Sequence, residues 1–584
     1  MATGREGTES GRGTPAPASR LSTSALLVLI WLVAGSAALL LFWGSKLTFL
    51  LDDWEFLVYR PGFTAHAVFD PHGENIVVAP VLIYKALLAT FGMSSAFPYR
   101  VVATLLFLAS AVLLFVLLRR RVGQWPALAA TAVVLFLGAA WEDLLWPFQV
   151  NYFGAMAAGL GMLLALERRS RRGDGVACLL LSLSVVFSSL GLTFIVGAAV
   201  EVLTRSDRWR RLWIVAIPVA IYLAWYLGWG HTAESALSLS NVGKTPAFVF
   251  NSLTASLASL LGLASPWLGL EDGSDLGWLR LLGGLALLAF AWRVYVLRGG
   301  SRWLWILVAL ALSFWVLAGL NQMEGREPNA SRYQYVGAVF VLLVAAELLR
   351  GVELRRGATI LVGAVAACAV ASNIQALHSA YDHFYHPISQ LEKADLGAVE
   401  IARDTVEPGF VLETDIADTG FVHIEAGPYL LARDEYGSPA YTPAEIAASS
   451  VYARFAADKV LFAALRIEAA AGGAKGFPGS TPVATDGGPV TVPATGCVSV
   501  AAAGGASPWL RLPPGGVVFR ADGPASAVQM RRFSTGRVPI TLTEEVPAGL
   551  VVRVPIPVDR SRTPWKLALR TAGTTVACGL EAGA

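Results

Sequence analysis

For its first 380 residues the chain alternates long apolar runs with short polar turns, and then it changes character. A helix that crosses a bilayer needs about twenty mostly apolar residues. Runs of that kind lie at 22–44, 97–118, 125–141, 148–166, 212–230, 276–297, 303–320, 333–349 and 358–378. The stretch 176–204 is longer and is interrupted at Ser188-Ser189 and Gly191. Arginines flank it on both sides, Arg168, Arg169, Arg171 and Arg172 before it and Arg205, Arg208, Arg210 and Arg211 after it. One span would separate these two clusters across the membrane. The pattern therefore predicts two short helices turning at SSLG, and about eleven spans in all. Two other apolar pieces, 76–91 and 246–264, are short or interrupted by polar residues and predict interfacial or re-entrant helices.

The arginines test this order. Arg119–Arg121, both clusters just named, Arg298 with Arg302, and Arg350 with Arg355-Arg356 all fall on one face, joined by Arg5, Arg12 and Arg20. Basic loops stay in the cytoplasm. The expected topology is N-terminus in, C-terminus out, in the cytoplasmic membrane. The opposite face receives the 45–96 loop, the 141–147 turn, the 230–275 segment, the 321–332 loop and the tail.

From about Leu391 Gly, Pro, Val, Thr and Ala replace Leu and Trp, and short alternating runs appear, among them PVTVPA, GGVVFRA and GLVVRVPIPV. Bounded by Gly/Pro clusters, these read as antiparallel strands. The fold class expected is a polytopic α-helical membrane domain followed by a smaller β-rich, sandwich-like extracytoplasmic domain. Its parts are a disordered, Gly/Ser/Thr/Pro-rich N-terminus (1–21), a transmembrane domain (22–380), a linker helix (381–404) and the β-rich domain (405–584).

Composition sharpens the class. Hydrophobic residues make up 55% and charged residues only 15%, against about 25% charged in soluble domains. The formal charge of +3 is gathered into the arginine turns, so topology explains it and nucleic-acid binding does not. Cys178 and Cys368 lie in apolar runs; Cys497 and Cys578 lie in the tail, where an extracytoplasmic address permits a disulfide. No CxxC or HExxH spacing marks a tight zinc site, and no GxxxxGK[ST] or GxSxG motif is present.

The candidate chemistry gathers on the face away from the arginines. Asp52-Asp53 opens the first loop, where a helix leaves the membrane; ionisable residues there are costly unless they bind or catalyse something. Adjacent side chains point different ways, so one acid can face a substrate hydroxyl as general base while the other faces a cation or a backbone donor. The plain alternative is a helix cap before Trp54. His72, Glu74 and Asn75 form a second cluster. It could orient a phosphate or sugar, hold a divalent cation together with Asp52 and Asp53, or simply cap the 76–91 helix. Glu142 and Asp143, with Gln149 nearby, stand between two tryptophans that also read as interfacial anchors. Arg326, Arg332 and Tyr333 belong to the 321–335 loop. Arginine there opposes the charge trend, and either phosphate binding or pairing with a glutamate explains it. Lys85 and Arg100 are further basic residues near this surface.

The order of parts resembles the GT-C superfamily of membrane glycosyltransferases: a first span, an outer loop opening on an acidic pair, about ten more spans and an outer C-terminal domain. More narrowly it resembles an actinobacterial group of this type, whose first loop carries an HNEHW-like cluster before a PVLIYR-like helix and whose later segments read WENLLWxFQ and SRYxYVG. The matching stretches here are HGENIVVAPVLIYK, WEDLLWPFQ and SRYQYVG, with the second histidine and the tryptophan replaced around Ile76 and Val77. The resemblance implies a polyprenyl-phosphate-linked sugar donor drawn from membrane lipid and an envelope glycan or glycolipid acceptor. It implies Asp52 or Asp53 as base, and Arg326, Arg332 or Lys85 stabilising the departing phosphate. A single displacement would invert the anomeric centre. Two other readings stay open, a transporter or flippase for a lipid-linked glycan and a non-catalytic envelope-glycan assembly protein.

Overall fold

The computed structural model describes residues 21–580, apart from 234, 265–275, 353–354, 414–422, 466–467, 470–480, 486–489, 502–508, 523–524, 535–539, 543–547, 558, 560 and 572. The disorder expected of the N-terminus falls almost wholly outside these residues.

The membrane domain begins with helix α1 (Thr23–Gly44), whose first turn is capped by the Ser22 hydroxyl. The first loop carries α2 (Asp53–Leu57), α3 (Ala65–Phe69) and α4 (Val78–Phe91). Then follow α5 (Phe97–Val122), α6 (Gln124–Leu135), α7 (Trp141–Leu145), α8 (Val150–Glu167), α9 (Arg171–Phe187), α10 (Gly191–Leu203), α11 (Arg208–Arg211) and α12 (Trp213–Gly228). The domain ends with α13 (Leu239–Leu260), α14 (Arg280–Val296), α15 (Arg302–Leu320), α16 (Ser331–Leu348) and α17 (Arg356–Ala380). Among the described residues seven helices are long and apolar enough to cross a membrane, and shorter apolar helices lie at Val78–Phe91, Gly191–Leu203 and Trp213–Gly228. Large apolar side chains such as Trp31, Leu105, Leu288 and Trp292 remain exposed on the outside of the bundle, as a lipid-facing surface requires.

The 176–204 stretch breaks where the serines and glycine stand, α9 ending at Phe187 and α10 starting at Gly191. The turn is tight: a Cβ on Gly191 would lie 2.5 Å from the Val185 backbone. The piece at 246–264 is longer than expected, beginning at Leu239. Its start is tied to the 321–335 loop by Asn241, which donates to the Leu320 and Gln322 carbonyls. Its end is tied to the start of α16 by Ser259 on Gln334. Both ends of α13 therefore lie at the loop end of the bundle, and the helix lies along that face.

The arginine turns share the other end. Arg121, at the end of α5, pairs with Glu347 of α16 at 2.7 Å and with Glu167 of α8 at 2.9 Å. Glu347 also accepts from Ser301, just before α15, and pairs with Arg350. Arg211 pairs with Asp174 at 2.7 Å, joining α11 to α9. These pairs neutralise charge that would otherwise be desolvated where helix ends crowd together.

A π-helical turn, Tyr381–Tyr385, carries α17 directly into α18 (His386–Ile401), the expected linker helix. The segment after it corrects the expected boundary. Residues 405–465 hold a two-stranded ribbon, β1 (Val411–Glu413) with β2 (His423–Glu425), and three helices, α19 (Ala426–Tyr436), α20 (Pro443–Ala448) and α21 (Val451–Ala463). Alanine-rich, helix-favouring segments and a capping box between Thr442 and Glu445 account for the helices. The β-rich part follows, in two antiparallel sheets. One is built from β4 (Val483–Ala484), β7 (Leu510–Arg511), β9 (Ala525–Arg531), β10 (Ile540–Leu542) and β12 (Lys566–Thr571). The other is built from β3 (Glu468–Ala469), β5 (Val490–Thr491), β6 (Cys497–Ala501), β8 (Gly516–Ala521), β11 (Val551–Pro555) and β13 (Thr574–Gly579). Cys497 and Cys578 sit directly opposite on β6 and β13 and are joined by a disulfide that spans 81 residues.

Removing one member of the ion-pair cluster tests the packing of the arginine end. The Arg121 and Glu347 side chains are only 3% and 1% exposed, so Arg121→Ala leaves a buried carboxylate short of its partner and costs about 3–5 kcal/mol. Unfolding in detergent measures this; a loss below about 1 kcal/mol would contradict the packing.

Candidate active site

The first loop is knit together by its cations. Arg60 donates to the Asp70 and Pro71 carbonyls at 2.9 Å each and pairs with Glu55 at 3.2 Å. Lys85 donates to the Arg60 carbonyl at 2.5 Å and to that of Gly62. Arg100 is buried and donates to the carbonyls of Thr48 and Leu145. Lys85 and Arg100 were expected to bind substrate. Both instead donate to backbone carbonyls that would otherwise be buried without partners, and neither lines the cavity described below.

The two adjacent acids separate completely. Leu51, just before them, has a φ of 52°, an uncommon conformation for a residue with a Cβ. It is held in place by the chain on either side: Trp146 donates to the Leu50 carbonyl at 3.1 Å and the Leu50 N–H donates to Asp53 at 3.0 Å. The turn aims Asp53 inward. Its side chain is fully buried and also accepts from the Tyr84 hydroxyl at 2.5 Å. Burial pushes the Asp53 carboxyl up to about 7, against the hydrogen bonds from Tyr84 and Leu50 and the nearby Arg100 charge. Burial and the same carboxyl hold the Tyr84 phenol well above its ordinary range, so Tyr84 is the donor. Asp53 was expected as a candidate base. With both oxygens engaged inside the protein, it has no free face toward a substrate, and its place is in the framework.

Asp52 points the other way. Its side chain is 40% exposed, with Oδ2 3.2 Å from His72 Nε2. The His72 ring is fixed against Phe56 and Phe148. His72 and Asn75 exchange two backbone hydrogen bonds across a turn whose Gly73 has a φ of +52°, a conformation glycine adopts without strain. Ser189, at the break between α9 and α10, accepts from Ile76 N and donates to the Glu74 carbonyl, which fastens this turn to the bundle.

Three distant segments meet here. Glu74 pairs with Arg326. Glu142 pairs with Arg332 at 2.9 Å and lies close enough to Asp52 for their charges to interact. Asp143 is fully buried behind it and interacts with Arg332 and Tyr152. Gln149 is buried, away from the cavity lining. The Arg326 and Arg332 pairs are the glutamate partners that sequence offered as the alternative to phosphate. They do not exhaust the guanidinium of Arg332, whose Nε has no partner among the described residues.

A cavity of about 450 Å³ adjoins the cluster, with Glu74, Asn75, Arg326, Arg332 and Tyr333 at its polar end. It continues between α10, α12 and α15 past Leu192, Phe314 and Leu317. Tyr152, Tyr222, Trp225 and Tyr226 also line it and were not anticipated. The signal was present, because residues 222, 225 and 226 share one helical face. A larger cavity of about 630 Å³ lies among α13, α14, α15 and α16. It is apolar and contains none of the candidate residues, five of which line the smaller one.

The proposed cation set does not assemble. Asp53 faces Tyr84 and Glu74 faces Arg326. Among the described residues no three His, Cys, Asp or Glu side chains gather in a way that could hold a metal ion.

No family model and no curated protein matches the chain. Among solved structures it is similar to ArnT from Cupriavidus metallidurans bound to undecaprenyl phosphate, at 12% identity and a TM-score of 0.43, covering 72% of this chain and 90% of that one. It is also similar to the arabinosyltransferase EmbB from Mycobacterium smegmatis, at 12% identity and a TM-score of 0.33, covering 98% of this chain and 65% of that one. Both likenesses are of general outline.

The buried acid makes stability depend on pH. Below its ordinary value of 3.8 Asp53 is protonated whether folded or unfolded. As pH rises toward 7 the unfolded chain releases a proton that the folded chain keeps, so stability falls through this window, by on the order of 4 kcal/mol at most, and then levels. In Asp53→Asn this slope disappears, while the single carbonyl left for two donors costs about 1–3 kcal/mol at low pH. Thermal unfolding in detergent at several pH values reads both effects; identical slopes in the two proteins would contradict the assignment.

Proposed function

We propose that the chain is a GT-C-type glycosyltransferase that moves a sugar from a polyprenyl-phosphate carrier to a hydroxyl of a cell-envelope acceptor on the outer face of the membrane. The observation that carries this reading is the half-exposed Asp52 carboxylate, oriented by His72 and close to Glu142, which itself pairs with Arg332. A cavity polar at one end and apolar along the spans adjoins this cluster. An amphiphile fits such a space, with its phosphate near the arginines and its chain along Leu192, Phe314 and Leu317.

The chemistry follows from this placement. The acceptor oxygen attacks the anomeric carbon as Asp52 takes its proton, and the bond from that carbon to the phosphate oxygen breaks. The bonding electrons leave with the polyprenyl phosphate. That leaving group already carries negative charge, so it needs cations more than it needs an acid. Arg332 and Arg326, which line the polar end of the cavity, supply them in this reading. The aromatic wall of Tyr152, Tyr222 and Tyr226 offers faces on which a sugar ring can stack. With Asp53 outside the chemistry, a single carboxylate acts as base, and one displacement inverts the anomeric centre.

Replacement of Asp52 by Asn in cells lacking the native chain is expected to remove the glycan product, with a rate loss of at least about 100-fold. Arg332→Ala should weaken transfer in the same assay. Profiling of envelope glycans, together with the anomeric configuration of the product, reads the outcome. Unchanged glycans at normal protein level would sink the assignment of Asp52, and retention of configuration would sink the single displacement.

A further inference from the structure

The helix that leads out of the membrane domain reaches back to the first loop. On α18, Ser389 accepts from Thr48 N at 3.3 Å, and Glu392, one turn later on the same face, accepts from Trp54 Nε1. Trp54 is the residue after Asp53 and sits in the helix that starts the acidic turn. Its ring packs edge-on to Phe49 on one side and to Tyr429 of α19 on the other. Tyr59, just beyond α2, accepts from the Glu425 N–H at 2.8 Å. At the far end of the loop Met93 N donates to the Tyr436 carbonyl at 2.8 Å, and a Cβ on Gly92 would lie 2.3 Å from that oxygen. The loop carrying Asp52 is thus gripped at four places, Thr48, Trp54, Tyr59 and Met93, by residues that follow the last span.

Glu392 is the unusual member of this grip. Its side chain is buried at 1% exposure, no cation pairs with it among the described residues, and its second oxygen has no hydrogen-bond partner. A buried carboxyl in that condition is costly for stability alone, and an apolar residue would pack α18 against the loop more cheaply. What it supplies is a directed acceptor for one indole N–H, in the first turn of α2. Asp52 and Asp53 stand on the turn that starts α2, so the seating of this indole bears on how Asp52 is presented to His72.

We propose that Glu392 is a positioning residue for Asp52, acting through Trp54, so that the linker helix and tail set the geometry of the base. The role of Asp52 rests on the function proposed above; the mechanical coupling does not, and the two are tested separately.

Amide exchange in detergent micelles reads the coupling without any substrate. In Glu392→Leu the amides of residues 50–58 are expected to exchange at least tenfold faster while those of α19 and α21 stay unchanged. Glu392→Gln keeps an acceptor for the indole and should restore native exchange. In a Trp54→Phe background the Glu392→Leu change should add little, because the N–H it serves is gone. Glycan product in cells should follow the same order, falling at least tenfold in Glu392→Leu and recovering in Glu392→Gln. Unaltered exchange at 50–58 in Glu392→Leu overturns the proposal. Equal acceleration throughout the tail, or a Gln variant as impaired as the Leu variant, overturns it as well. If Asp52→Asn leaves glycans intact while the exchange pattern holds, the positioning stands and the proposed reaction falls.

Discussion

One buried carboxyl group governs the shape of the site. Asp53 lies wholly inside the protein, and the hydrogen bonds it accepts from Tyr84 and from the backbone of Leu50 can form only if the chain turns sharply at Leu51. A buried acid left unsatisfied is expensive, so the turn is as well determined as the bonds it makes possible. That turn leaves the neighbouring Asp52 on the opposite side, toward His72. The position of the proposed base is therefore a by-product of how its neighbour is satisfied.

Around this point the charged residues divide by what they have to neutralise. Lys85, Arg60 and Arg100 answer backbone carbonyls and so hold the loop rigid. Arg326 and Arg332 answer the carboxylates of Glu74 and Glu142 and line the polar end of the cavity. The arginines at the other end of the bundle pair with Glu167, Glu347 and Asp174. The same residue type thus serves framework, site and topology according to where the helices place it.

Seven of the expected spans were legible in the sequence because the bilayer imposes a length, and the break at SSLG because clustered arginines resist being placed on opposite faces. The convergence of Asp52, Glu142 and the two loop arginines was also readable, since once the faces are assigned the candidates share one. What sequence could not assign was direction. Adjacent aspartates look alike until Tyr84, some thirty residues away, selects one of them. Lys85 and Arg100 looked like ligands because the carbonyls that absorb them leave no trace in a sequence. Glu392 was invisible for the same reason: its partner lies at the other end of the membrane domain. The helices of 426–463 were missed because the Gly, Pro and Val content of the tail, averaged over its length, hid local segments rich in helix formers.

The central claim is that the polar end of the cavity, not the apolar groove among α13–α16, receives the phosphate of a carrier lipid beside Asp52. Cryo-electron microscopy of the protein in nanodiscs containing undecaprenyl phosphate tests this most directly. The account predicts phosphate density within hydrogen-bond distance of Arg332 or Arg326, with the chain running past Leu192 and Leu317. Lipid density confined to the groove lined by Phe250, Trp292 and Trp315, with no phosphate near either arginine, would contradict it.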